Sequence, residues 1–198
     1  MIIFQNISTE DPYRIFKKTY EKALTAGQKN IEAISISSYS KRLDEVNARF
    51  VNLKIVDGTE FIFFTNYNSP KSIEFSEHNQ ITALIYWRNI NAQIRMKAVI
   101  EKKSTEYNSE YFSARNKEKN ALAISSEQSK EISAYADVKK NFKKALRSSD
   151  LKKCPKYWGG FSFIPHYFEF WQGHKSRINK REAFILKEDN WQSSFLQP

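Results

Sequence analysis

The sequence predicts an α+β protein, mainly β, whose antiparallel strands close or nearly close into a barrel with helices at its periphery. Three observations carry that prediction. β-Branched and aromatic runs bounded by turn residues occupy 31–37, 49–56, 60–66, 81–87 and 92–102. Asp57-Gly58 stands between the second and third runs as a two-residue hairpin signal. The 198 residues, 40% apolar and 15% aromatic, suffice for one full core, and closure removes the exposed edges that so many strands would otherwise present. A single domain over residues 1–198 is therefore expected, with 1–10 as a mobile N-terminus ahead of the first helix.

The elements follow in order. Asp11 as N-cap, Pro12 in the first turn, helically spaced apolar groups in "YRIFKKTYEKAL" and Gly27 as a stop predict a helix over 12–26. "SPKSIEFSEH" interrupts the strands with a short helix, Ser69 as cap and Pro70 as its first residue. From Thr105 to about Arg147 the composition turns helical and polar, and the lysines of "KKNFKKALRSSDLKK" read as a solvated helix face. "YWGGF" at 157–161 then turns into a last set of strands near 161–173, 181–187 and 190–196.

Charge and cysteine usage narrow the function. With 32 Lys and Arg against 22 Asp and Glu, a net charge of +10 and a pI near 9.5, the chain suits an anionic partner: nucleic acid, an acidic membrane surface or a phosphorylated small molecule. The single Cys154 excludes an internal disulfide, and three histidines at unsuitable spacing argue against any metal site, so a reduced, cytoplasmic protein is expected. The start lacks a signal-peptide pattern and no apolar stretch approaches ~18 residues, so neither export nor membrane insertion is expected. No nucleophile elbow, P-loop or HExxH pattern occurs, and five glycines leave no classical dinucleotide loop. Any redox chemistry must use a cofactor held in another way.

Four segments concentrate usable chemistry. On a strand, "RFVNLK" puts Arg49, Val51 and Leu53 on one face and Phe50, Asn52 and Lys54 on the other, and neither face is cleanly apolar. "TNYNSPKS" gathers Thr65, Ser69, Lys71 and Ser72 at a helix start, where free amides and the dipole favour an anion; an ordinary capped helix fits equally. In "EYFSARNKEK" Tyr111, Arg115 and Lys119 recur every four residues, so one helix would present all three on one face, as a phosphate site or as surface decoration. "FEFWQGHKSRINKREAF", 168–184, is the densest: Tyr167, Glu169 and Trp171 share a strand face, Gly173 lets the chain turn or admit a ligand, and an extended return would align Arg177, Asn179 and Arg181. Its aromatics alone read as core, but aligned arginines that are buried need an anion.

Taken together, "RFVNLK", "FFTNYNSPKS", "YWGGF" and "FEFWQG…R…R", in this order and spacing, resemble the pyridoxamine 5'-phosphate oxidase family of FMN-binding split barrels, from "DPYRIF" to the terminal "QP". The resemblance implies that Arg49, Phe50, Val51, Asn52, Leu53, Lys54, Phe64, Thr65, Pro70, Lys71, Gln93, Gln128, Ser129, Trp171 and Arg181 bind FMN. It implies that Lys54, Tyr111, Arg115, Lys119, Arg177 and Asn179 bind substrate, with Arg177 and Asn179 at the reacting ring. It further implies oxidation of pyridoxamine or pyridoxine 5'-phosphate at C4', hydride passing to FMN N5 and oxygen reoxidising the flavin. A homodimer with FMN at its interface is implied, with a small-molecule substrate and no nucleic-acid or membrane partner.

Three positions depart from the family pattern. Pro70 stands where an arginine is usual, Lys119 where a serine is usual, and Asn179 where a histidine is usual, so no titrating group lies at that last place. These departures keep two alternatives open: a flavin oxidase of another ring, of the phenazine-precursor type, and a non-catalytic protein that binds flavin, pyridoxal phosphate or an acidic polymer.

Overall fold

The computed structural model describes residues 1–198. In chain order the elements are β1 (Ile3–Gln5), α1 (Asp11–Thr25), β2 (Ala33–Ser40), β3 (Glu45–Asp57), β4 (Glu60–Asn66), α2 (Pro70–Glu77), β5 (Gln80–Trp87), β6 (Ala92–Lys102), α3 (Thr105–Ala114), α4 (Lys117–Ser125), α5 (Tyr135–Ser148), β7 (Trp158–Gln172), β8 (Lys180–Lys187) and β9 (Asn190–Leu196). All pair antiparallel except β1, which runs parallel to β3. β4 pairs with both β3 and β7, so the order β3-β2-β5-β6-β7-β4 closes on itself as a ring.

The ring is split because β7 changes partner along its length. Its first part, 158–163, pairs with β4, and its last part, 167–172, pairs with β8, which carries β9 outward. The change falls at Pro165 and His166, where the register with β6 slips: Ala98 faces Pro165, Lys97 faces Tyr167, and His166 is left over. Pro165 has no N–H to give the ladder, so a bulge is the natural place for it.

α1 closes the barrel. Tyr13, Phe16, Tyr20 and Ala23 form its buried stripe at the helical period, and Phe16 packs edge-on to Phe61 with ring centroids 4.9 Å apart. Trp87, Phe61, Phe63, Phe163, Phe168, Ile34 and Ile36 complete the same core.

Several boundaries differ from expectation. Residues 1–10 are not a loose end: β1 pairs Ile3 with Ile55, Ile2 is buried and donates its N–H to the Tyr20 hydroxyl at 3.1 Å, and Phe4 lies 5.1 Å from the Tyr20 ring. α1 is capped at Glu10, which places Asp11 in the first turn; Gly27 follows its end in the left-handed region, φ 70°. No helix is long and apolar enough to cross a membrane.

Candidate active site

A cleft of about 1070 Å³ opens where β3, β4, the start of α2, the α3–α4 junction and the loop at 128–129 meet. Arg49, Phe50, Val51, Asn52, Lys54, Phe64, Thr65, Pro70, Lys71, Tyr111, Arg115, Lys119, Gln128 and Ser129 all line it. Leu53 does not: strand alternation sends its side chain into the core, fully buried, so only its backbone is available to a ligand, while Phe50 on the opposite face is 76% exposed.

Lys71 is the cation that most needs an anion. It is 6% exposed, and Nζ donates to Thr65 Oγ1 at 3.2 Å and Ser69 Oγ at 3.0 Å, both neutral acceptors. Burial, helped by Arg49 and opposed by Glu74, pulls its pKa down to about 8. Ser69 is the N-cap residue of α2, but its hydroxyl donates to Asn66 O at 2.7 Å instead of capping the helix amides. Thr65 Oγ1 in turn donates to Gln128 Oε1 at 3.0 Å, and the same oxygen accepts from Asn66 N–H at 3.3 Å, fastening the 128–129 loop against β4.

Arg49 is held from behind. Its Nη2 pairs with Glu74 at 2.8 Å and Nη1 donates to Ser38 Oγ at 2.5 Å, while Asn47 Nδ2 donates to the other Glu74 oxygen at 3.1 Å. The sequence reading missed Glu74, whose partner lies 25 residues away on another element.

The opposite wall is aromatic. Phe64 stacks on Tyr111 with centroids 3.6 Å apart and on Trp158 at 5.3 Å, and the Arg115 guanidinium sits 4.5 Å over the Trp158 ring. Burial lowers the Arg115 pKa and raises that of Tyr111, each opposed by the other's charge. Tyr111, Arg115 and Lys119 do not share one helix. α3 ends at Ala114, Arg115 is extended, and Asn116 caps α4 by accepting from Glu118 N–H at 2.8 Å. The break still leaves all three side chains on the cleft. Arg115 and Lys119 have no carboxylate within ion-pair distance, whereas Lys54 faces Glu32 at 3.6 Å.

The remaining expected residues lie elsewhere. Gln93, Trp171 and Arg181 face one another across β6, β7 and β8 as a single cross-strand row. None of them, nor Arg177 or Asn179, lines the cleft. Trp158, packed against Phe64 and Arg115 of the cleft, and Trp171 of the row stand near opposite ends of the 15-residue β7, about 40 Å apart along the strand in extended geometry. The 177–181 return is not extended: residues 174–177 turn, Arg177 adopts φ 61°, and Asn179 Oδ1 accepts from His174 N–H at 3.0 Å before β8 begins at Lys180. What approaches Gly173 closely is Asn91, whose carbonyl accepts its N–H at 3.0 Å.

Glu169, 3% exposed, anchors this second group. It accepts from Arg181 Nε at 2.8 Å, Arg95 Nε at 3.1 Å and the Tyr167 hydroxyl at 3.0 Å. Burial alone would raise its pKa, but these donors hold it below the ordinary 4.5. Glu169→Leu is expected to destabilise the protein by about 2–4 kcal/mol, since it strands two half-covered guanidiniums, measured as a shift in denaturant midpoint. Because the folded carboxyl titrates below its unfolded value, the contribution is fully present above about pH 4.5 and is lost as acid protonates it.

The ring closure and the split at β7 define the class of fold: a split barrel, close to structures of FMN-binding split barrels. A structure described as a pyridoxamine 5'-phosphate oxidase-related, FMN binding protein from Nostoc punctiforme superposes with a TM-score of 0.78 at 12% identity, over 96% of this chain and 100% of that one. PhzG from Burkholderia lata, solved with tetrahydrophenazine-1-carboxylic acid, superposes at 0.89 with 22% identity, over 95% and 93%. The model of the "Pyridoxine 5'-phosphate oxidase C-terminal dimerisation region" matches residues 158–198, which are β7, β8 and β9. Among relatives named pyridoxine/pyridoxamine 5'-phosphate oxidase, that of Rippkaea orientalis is 32% identical over 95% of this chain and 90% of its own. That of Christiangramia forsetii is 35% identical over 96% and 89%. The chain belongs to the pyridoxine/pyridoxamine 5'-phosphate oxidase family, a family of FMN-dependent oxidoreductases.

Proposed function

We propose that this chain is a homodimeric FMN-dependent oxidase that converts pyridoxamine or pyridoxine 5'-phosphate to pyridoxal 5'-phosphate with oxygen as electron acceptor. The observation that carries the reading is a cleft with two separate cationic places: Lys71 buried on neutral hydroxyls beside the Arg49–Glu74 pair, and Arg115 with Lys119 on the aromatic wall; Lys71, Arg115 and Lys119 have no carboxylate within ion-pair distance. A buried ammonium with no anion suits the FMN phosphate, and a phenol beside a guanidinium suits the phosphate of a ring substrate. The printed names of the relatives support the same substrate class.

FMN, when bound, supplies the acceptor for a hydride from the substrate C4' carbon. The protein's own residues bind and orient. Lys71, Arg49, Thr65, Gln128, Ser129 and the β3 backbone from Phe50 through Leu53 hold one end of the cofactor in one copy. Gln93, Trp171 and Arg181 reach it from the second copy. Lys54, Tyr111, Arg115 and Lys119 anchor the substrate phosphate, and Arg177 covers its ring. Asn179, a neutral amide, carries no proton in this scheme.

The dimerisation match over 158–198 supports the second copy, because it falls on β7 and β8, which carry Trp171 and Arg181 of the group that does not line the cleft. The test is direct. Purified protein given FMN is expected to be yellow, to bleach with pyridoxamine 5'-phosphate when oxygen is removed, and to form pyridoxal 5'-phosphate in air. A protein that cannot be loaded with FMN overturns the cofactor assignment; a flavoprotein that oxidises neither phosphorylated vitamer overturns the substrate.

A second reading, a flavin oxidase of another ring substrate, rests on Asn179. Its side-chain oxygen is engaged with the backbone of His174, so it holds the turn in place of facing a ring. That reading expects the same bleaching with a different reductant.

A further inference from the structure

The lysine-rich segment at α5 has no part in the flavin site. "KKNFKKALRSSDLKKCPK", residues 139–156, holds eight Lys and Arg against one Asp, so seven of the chain's ten net positive charges lie in one short stretch. The apolar face of α5, Val138, Phe142 and Ala145, is at least half-buried, and the helix packs on α4. The opposite face carries Lys139, Lys143 and Arg147 in one row and Lys140 and Lys144 in the next, all exposed.

Successive members of a row rise about 6 Å along the helix axis. None of the five has a carboxylate within ion-pair distance, and they border a groove of about 530 Å³. Like charges four residues apart destabilise a helix. Two such rows with no acid between them therefore weaken α5, and a repeating anion laid along them would offset the repulsion.

We propose that this face binds the phosphate backbone of single-stranded nucleic acid, without reading bases. Two observations favour that partner over an anionic membrane. A helix that lies in a membrane interface needs a free apolar face, and here that face is taken up by α4. At the head of the rows Tyr135 is 73% exposed, with Lys139 Nζ 4.9 Å above its ring, offering a surface on which an unpaired base can stack. The inference is independent of the flavin chemistry.

The experiment is fluorescence anisotropy of a labelled mixed-sequence single-stranded RNA against the full-length protein at several salt concentrations. Neutralising about five phosphates gives a slope of log affinity against log salt near −3.5. The variant K139Q/K140Q/K143Q/K144Q is expected to bind at least about tenfold more weakly with a slope near −1. The same four changed to arginine keep the affinity. A control that removes equal charge elsewhere, K18Q/K22Q/K29Q/K187Q, also keeps it. All variants retain the parent's circular dichroism, since neutralising the stripe relieves repulsion within α5. No binding by the parent, equal loss in the α5 and control variants, or binding to phosphatidylserine vesicles in preference to RNA would each overturn the proposal.

Discussion

Lys71→Met is expected to weaken FMN binding by about 10- to 150-fold while leaving the FMN-free protein as stable as the parent or more so. The two effects have one cause. A charge-assisted hydrogen bond to a phosphate contributes roughly 1.5–3 kcal/mol, and Met cannot make it. Without the anion, Lys71 is 6% exposed and has only hydroxyl oxygens to donate to, and its pKa has fallen from 10.5 to about 8. That fall corresponds to a folding penalty on the order of 3 kcal/mol for the charged form, which an apolar side chain of similar length escapes. Below pH 8 both folded and unfolded chains hold the proton and the penalty is fully present. Between about 8 and 10.5 the unfolded chain holds more protons, so this group's contribution to stability improves as pH rises. FMN affinity moves the other way, falling as pH climbs past about 8 and the ammonium discharges. Flavin-fluorescence titrations and thermal melts across that range check both trends, and Lys71→Met should flatten them. Unchanged FMN affinity in the variant would remove Lys71 from the site.

How much of this was legible in the sequence depends on how local each signal is. Strands β2 to β6 announce themselves through β-branched and aromatic runs, and Asp57-Gly58 marks the β3–β4 hairpin, because alternation and turn chemistry are set by neighbours in the chain. The ring closure is not local. It depends on β4 finding β7, some hundred positions on, and on Pro165 releasing the second half of β7 to β8. β1 has three residues, too few to show a period. The α3–α4 break was written in Asn116, a good N-cap, but the regular spacing of Tyr111, Arg115 and Lys119 drew attention to a longer helix. The cleft residues were individually ambiguous and gained meaning only as a set. Glu74 went unread, and Glu169 was placed on a strand face without a role, because a carboxylate's role depends on which arginine the fold brings to it, and those partners lie on other elements. For Arg177 and Asn179 the extended return failed because residues 174–177 close a turn first.

Two inactive variants, one in each half of the site, should together yield an active enzyme. Arg115→Ala removes a cation from the cleft, and Arg181→Ala removes one from the β6–β7–β8 row; each is expected to abolish turnover alone. In one chain the two residues belong to groups near opposite ends of β7, and the cleft that Arg115 lines is not lined by Arg181. If each site takes its cleft from one copy and its row from the other, a mixed dimer places both defects in one site and leaves the other intact. Random assortment makes half the dimers mixed, each with one good site of two, so activity should return to about a quarter of the parent's. Co-expression or joint refolding of the two variants, with oxidation of pyridoxamine 5'-phosphate as the readout, measures it. Recovery also separates a composite site from a dimer that merely buries surface, since only shared sites allow a chain damaged at the cleft to be rescued by one damaged at the row. No recovery, with mixed dimers present, would place the whole site within a single chain and require β7 to bend far enough to bring Trp158 and Trp171 together.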